Sequence, residues 1–309
     1  MNIGIVVNNL IVIFAMIVVG LVMGKRRMLS DRAERDLTSI VMNVGLPCMI
    51  FSSMIQEYDS NLVRDSVIIF VLDLMIILAG AALNLAASRL LRVPQRRRGV
   101  WVLAATLSNG GFMGFPIVYA LLGSEGLFLA SMMNLAQTIL CYSLGVGILT
   151  SGSSEQGKTD WKKVLLTNVN GAVVLGLACF LTQAPVPELI LTVTDYFGAI
   201  TTPLSMLLIG LSLSHGSLSA VFRDRDVISI TVMRLLVMPL LIVLFLHFLP
   251  LPADSLVAGI IAIVQAMPCP AVVLTLSNQY GTDSELAARA IFLSSLCCIV
   301  TIPLILLLV

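Results

Sequence analysis

Charge is scarce in this 309-residue chain: Asp, Glu, Lys and Arg make up 11% of it, against about 25% in an ordinary soluble domain. Hydrophobic residues reach 58% and mean hydropathy is +1.03. That balance excludes a water-soluble helical enzyme and sets the class as a polytopic membrane protein. Histidine is nearly absent, and His215 and His247 lie near opposite ends of apolar runs. HExxH and GxSxG motifs are missing, as are carboxylate pairs at helical spacing within a run, so no enzyme is expected. Six cysteines all fall in apolar segments without CxxC or metal-ligand spacing; they read as small packing residues, with no metal, no cofactor and no disulfide framework. A net charge of +1 gives no ground for a nucleic-acid partner.

What the chain has in abundance is apolar runs of about 20 residues, the length that crosses a bilayer. They predict ten spans, near 4–23, 37–55, 66–88, 100–121, 126–150, 164–182, 189–214, 227–249, 255–277 and 287–308. No basic stretch precedes the first run, and Lys25-Arg26-Arg27 follows it. This order predicts an uncleaved span with an extracytoplasmic N-terminus. The remaining inner loops then hold Arg32, Arg35, Arg89, Arg92, Arg96, Arg97, Arg98, Lys158, Lys162, Lys163, Arg223, Arg225 and Arg289. Sixteen of the 18 Lys and Arg lie inside, Arg64 lies outside and Arg234 is within a span. Such asymmetry follows the positive-inside rule and puts both termini outside an inner cell membrane.

The most polar inner loop, 151–163 (SGSSEQGKTDWKK), divides the spans into five and five. An odd number per half forces the second half to enter with opposite orientation. The expected organisation is therefore one five-helix repeat at 1–150, a cytoplasmic linker at 151–163, and an inverted repeat at 164–309. Pro47 of span two and Pro203 of span seven lie 156 residues apart; Pro116 of span four and Pro270 of span nine lie 154 apart.

Two helix-breaking clusters interrupt matching spans. Span four carries Asn109-Gly110-Gly111-Phe112-Met113-Gly114-Phe115-Pro116, and span nine carries Gln265-Ala266-Met267-Pro268-Cys269-Pro270. Glycine and proline both disfavour helix interiors. Freed backbone groups find no water in lipid, so such breaks persist where they line a protein cavity. Pro116 suits the first turn of a new half-helix. Its N-terminus would present free N–H groups and a positive dipole end, which is an anion site, with Asn109 adding a donor and an acceptor. Glycine packing and a proline kink are the structural alternative. Gln265 beside Pro268 and Pro270 carries the same pair of readings.

Other polar positions sit at proline kinks or share a face. Asn43 accompanies Pro47, and Ser205 follows Pro203; each pair either lines a cavity or packs. Asn134 and Gln137 lie three apart on one face of span five. Three ionisable residues fall inside spans, Asp73, Asp195 and Arg234, and an intramembrane charge reads as a coupling or gating candidate. Asp73 and Arg234 occupy equivalent depths of spans three and eight. The expectation is one in the outer third and one in the inner third, each snorkelling to its own surface. Asp195 is a candidate to bind a proton or cation.

At these clusters the chain resembles the auxin efflux carrier family. NVGLPCMIF (43–51), LSNGGFMGFPIVYALLG (107–123), TTPLSMLLIGLSL (201–213), MRLLVMPLL (233–241) and QAMPCPAVVLTLSNQYG (265–281) carry the resemblance, which spans essentially the whole chain. It implies an all-α fold of ten helices in two inverted five-helix repeats. Broken spans four and nine cross near the bilayer centre, as in bile-acid symporters and sodium/proton antiporters. It implies a carboxylate substrate beside the asparagine that Asn109 matches, and homodimers are common in this fold. The long cytoplasmic loop of many plant members is missing. So is a charged pair of the antiporter kind at the crossover, which counts against a pure cation exchanger.

The combined expectation is a secondary-active carrier of a small organic anion, using sodium or a proton as coupling ion. Two half-helix N-termini and neutral amides would hold the carboxylate without a buried Lys or Arg. A sodium- or proton-coupled cation exchanger and a non-transporting membrane receptor or scaffold are the alternatives.

Overall fold

The computed structural model describes residues 3–151, 167–214, 221–249 and 256–308, and among them every regular element is helical. The expected linker beyond Ser151, Lys158, Lys162, Lys163 and His215 lie outside the described residues. In chain order the helices are α1 (Ile3–Lys25), α2 (Asp31–Ile40), α3 (Leu46–Met54), α4 (Ser60–Leu90), α5 (Gln95–Thr106), α6 (Phe115–Leu140) and α7 (Val146–Thr150). There follow α8 (Asn168–Thr182), α9 (Glu188–Ala199), α10 (Thr201–Ser214), α11 (Arg225–Val232), α12 (Met238–His247), α13 (Val257–Gln265), α14 (Val272–Gln279) and α15 (Ser284–Leu306).

Six described helical stretches are long and apolar enough to cross a membrane, and one of them, Gln95–Thr150, covers two expected spans in 56 residues. Two shorter apolar helices, Ile11–Lys25 and Asn168–Thr182, stand beside them. Expected span nine is absent from the set because its helix divides into α13 and α14, each too short to cross alone. The turn between expected spans four and five falls within α6 at Gly123, whose φ of 67° lies in the left-handed region that a side chain disfavours.

Proline shapes the helices in a way that the sequence pattern alone does not specify. Leu46-Pro47, Phe115-Pro116 and Met238-Pro239 each open a helix directly after a π-helical turn: Val41–Gly45, Gly110–Gly114 and Met233–Val237. A proline ring clashes with the carbonyl four residues back and offers no N–H to it. Widening the preceding turn relieves the clash and keeps the chain hydrogen-bonded; the Leu46 and Met238 amides reach carbonyls five residues back, on Val41 and Met233. The proline kink expected at Pro47 is therefore a wide turn within a continuing helix.

The chain forms two compact units that each draw on both halves of the sequence. The first comprises 1–69, 111–135 and 162–215. In it α1 lies against α10 at backbone contact distance. A Cβ on Gly20 would stand 2.1 Å from the Leu207 carbonyl oxygen, and one on Gly210 would stand 2.0 Å from that of Ile17. Small residues give membrane helices this closeness, where dispersion rather than hydrophobicity drives association. Helix α3 packs on α8 and α9, with Met54 filling the space over Gly176 and the Met49 backbone against Gly198. Phe128 meets Phe180 edge to face at 4.8 Å between centroids.

The second unit comprises 70–110, 136–161 and 216–309. Its centre is α5, buried from Gly99 to Thr106, and Trp101 Nε1 donates to Ser229 Oγ at 2.8 Å. At one end of α5, Arg97 donates to Asp224, Asp226 and Asp283 at 3.0–3.2 Å. Asp224 and Asp283 are also the N-caps of α11 and α15. One guanidinium thus ties the starts of three helices together. Large apolar side chains such as Val18, Val19, Leu175, Leu189, Val300 and Leu304 point outward, the surface a lipid-embedded protein presents.

The α1–α10 contact makes a prediction. Gly210→Ala forces backbone apart and should destabilise the purified protein by about 1–3 kcal/mol. Gly171→Ala, where a Cβ meets nothing within 4 Å, should be neutral or slightly stabilising. Melting temperatures of the two variants, measured side by side in detergent, check the contrast.

Candidate functional site

Inside the second unit, residues 107–110 of the first break approach residues 266–271 of the second. Helix α5 ends at Thr106, Leu107 is extended, and the Asn109 backbone N–H donates to the Pro268 carbonyl at 2.9 Å. Residues 266–271 separate α13 from α14. Gly110 is buried, and a Cβ there would lie 3.0 Å from Val264 Cγ1, so the backbones approach where the side chain is missing. Pro268 and Pro270 are buried in the second break, and the Cys269 amide donates to Ser294 Oγ at 3.1 Å.

A helix that ends inside a membrane leaves carbonyls without partners, an expensive condition away from water. Arg234 supplies the donors here. It is fully buried, at 0% exposure. Its Nη1 donates to the Thr106 carbonyl at 2.9 Å and its Nε to that of Met267 at 3.0 Å. Its Nη2 serves the Gln265 carbonyl and, at 3.1 Å, Gln265 Oε1. The Gln265 amide nitrogen then donates to Asp73 Oδ1 at 3.0 Å. Asp73 is equally buried, and its Oδ2 has no hydrogen-bond partner among the described residues. Positive charge thus sits on the negative ends of α5 and α13, with a carboxylate one amide away.

This geometry corrects three sequence expectations. Arg234 does not snorkel inward and Asp73 does not snorkel outward, because orphan carbonyls and an amide bridge hold both in the interior. The two are not separated between opposite thirds of their spans; Gln265 joins them. A charged pair does stand at the breaks, and a buried Arg is part of the site. Both residues were read as intramembrane candidates, but their joining was not visible beforehand, because the groups that call for the guanidinium are backbone carbonyls and carry no residue signature.

Gln137 also belongs to this neighbourhood. It accepts from Ser108 Oγ at 2.9 Å and donates to the Ser108 carbonyl at 2.6 Å, closing the end of the first half-helix. Asn84, buried in α4, donates to Thr106 Oγ1 at 3.2 Å. The sequence reading passed over Ser108, Asn84 and Ser294. A neutral amide in the middle of an apolar helix was the signal available for Asn84.

The other candidate residues lie in the first unit. Gly111 faces Asn134, whose Oδ1 would be 3.6 Å from a Cβ there. Gly114 and Pro116 are buried at the entry to α6. Asn43 spends its amide on Ser39 and on Asn168, whose Nδ2 donates to Asn43 Oδ1 at 3.0 Å. Pro47 opens α3, and Pro203 stands in the first turn of α10. Ser205 is buried with a hydroxyl that finds no partner among the described residues, as is Thr201. Asp195 accepts from the Ser52 hydroxyl and opens onto a cavity of about 740 Å³.

Arg234 should be intolerant of change. Arg234→Met strands three carbonyls and Asp73, and loss of one member of a buried charged network costs about 3–5 kcal/mol. Arg234→Lys presents a point charge rather than a planar fork and should recover only part of that. Monodispersity and melting temperature in detergent are the readouts.

Comparison with known proteins agrees with this architecture. A family model described as membrane transport protein matches residues 5–306. A protein of Methanothermobacter thermautotrophicus, described as an uncharacterised transporter, is 27% identical over 300 residues, which is 94% of this chain and 94% of its own length. Another of that description, from Methanocaldococcus jannaschii, is 25% identical over 277 residues, covering 86% of this chain and 87% of itself.

Proposed function

Because the chain belongs to the auxin efflux carrier family of membrane transport proteins, we propose that it is a secondary-active carrier of a small organic anion bound at the two helix breaks. The observation that carries this reading is the assignment of Arg234. A broken helix offers a negative end and a positive end. At both breaks Arg234 hydrogen-bonds the carbonyls of the negative ends. What is left for a ligand is the positive side: the amides that open α14, with the Asn109 side chain as a further donor. That chemistry suits a carboxylate. The guanidinium is already consumed by carbonyls, so it sets the local potential without gripping the substrate, and release stays easy.

In this reading the chain crosses the inner cell membrane ten times as two inverted repeats, with both termini extracytoplasmic, and works by alternating access. The cargo is a mono- or dicarboxylate or a weak amphipathic acid.

One observation favours a second role for the same region. A carboxylate oxygen with no partner among the described residues in a fully buried setting, Asp73 Oδ2, is a place for a proton or sodium ion to bind. We therefore assign coupling to Asp73, and a cation exchanger is the competing reading of that residue.

In proteoliposomes, Asn109→Ala should lower carboxylate uptake about tenfold or more, the effect of losing one hydrogen bond to a charged group, with the melting temperature unchanged. Wild-type flux in that variant would remove the crossover as the substrate site. Asp73→Asn should erase any sodium or pH dependence of uptake. Sodium or proton exchange that proceeds without organic substrate and stops in Asp73→Asn would favour the exchanger.

A further inference from the structure

The cavity of the first unit has a volume, about 740 Å³, that falls among small-molecule sites of about 300–1,000 Å³. Its polar wall consists of Ser52, Tyr119, Ser124, Asp195 and Thr202, and Met49, Ile55 and Leu191 give it an apolar side. Among the described residues, Asp195 is the one charged residue in the lining, which holds no Lys, Arg or His. On α9 the residues Leu191, Asp195, Gly198 and Ala199 form one helical stripe facing the space. Ser52 donates its hydroxyl to Asp195 Oδ1. That contact orients the carboxylate without neutralising it.

An unneutralised carboxylate in a span of a membrane protein marks function. A ligand that is purely anionic meets repulsion from it. A bare metal ion needs several oxygens converging at short range, and a wide cavity with a single carboxylate does not supply them. An organic ammonium fits: its charge pairs with Asp195, its remaining N–H groups find hydroxyls, and its hydrocarbon body lies against Met49, Ile55 and Leu191.

We propose that this cavity binds the protonated amine of an organic molecule, with Asp195 as counter-ion.

The test is calorimetric titration of the full-length protein in detergent with butylamine and phenethylamine, then butyrate and phenylacetate. Each is run on wild type, Asp195→Asn, Asp195→Glu and Asn109→Ala. The expected result is amine binding that weakens at least tenfold in Asp195→Asn, survives in Asp195→Glu and is unaffected by Asn109→Ala. Carboxylate binding should follow Asn109 instead, so loss of the carboxylate response alone overturns the crossover reading and leaves the amine site standing. Three results overturn the amine site: no amine binds wild type, Asp195→Asn binds amines as wild type does, or sodium at constant ionic strength gives the only Asp195-dependent signal. Because Asp195 is exposed to the cavity, its near-isosteric Asn variant should melt with wild type.

Discussion

The constraint on which the site depends is the fate of backbone carbonyls at helix ends that terminate away from water. Prolines and glycines break two helices inside the second unit, and each break frees acceptors that lipid cannot satisfy. The protein answers with one side chain. A guanidinium has five donors in a fixed plane, and Arg234 distributes its donors over the carbonyls of Thr106, Gln265 and Met267. The breaks are then stable enough to persist, and the Asn109 amide adds a direct bond from one to the other. Burial of the charge is tolerable because the charge is hydrogen-bonded throughout and Asp73 stands one amide away.

From that arrangement follows the polarity of the site. Had the carbonyl ends been left open, they would have favoured a cation. In the proposed reading, with Arg234 on them, what the breaks offer a ligand is N–H groups, and the choice between cation and anion rests with a residue that contacts neither. The cavity of the first unit carries a carboxylate and, among the described residues, no base.

Local chemistry was legible in the sequence and long-range pairing was not. The break at Asn109–Pro116 and the break at Gln265–Pro270 could be read because proline and glycine act on their own backbone. The membrane class could be read because it rests on summed hydropathy. The resemblance to a transport family rests on contiguous motifs and needed no contacts. Arg234 and Asp73 were assigned to opposite surfaces, since depth along a span says nothing about which carbonyls a neighbouring helix has orphaned. Asn43 looked available as a short polar group beside Pro47, yet Asn168, 125 residues away, engages its side-chain amide. The π-turn before Pro47 was read as a kink because sequence marks the obstruction but not how the helix absorbs it.

The central claim is that the breaks recognise negative charge through backbone amides. The direct measurement compares the purified protein's affinity for a set of carboxylates with its affinity for their uncharged primary amides, which match them in shape. A ligand that binds only the folded state raises its stability by mass action, so melting shifts report the ranking. The account requires stabilisation by carboxylates and little or none by the amides, with the difference lost in Asn109→Ala. Equal response to both series, or stabilisation by cations alone, would contradict it.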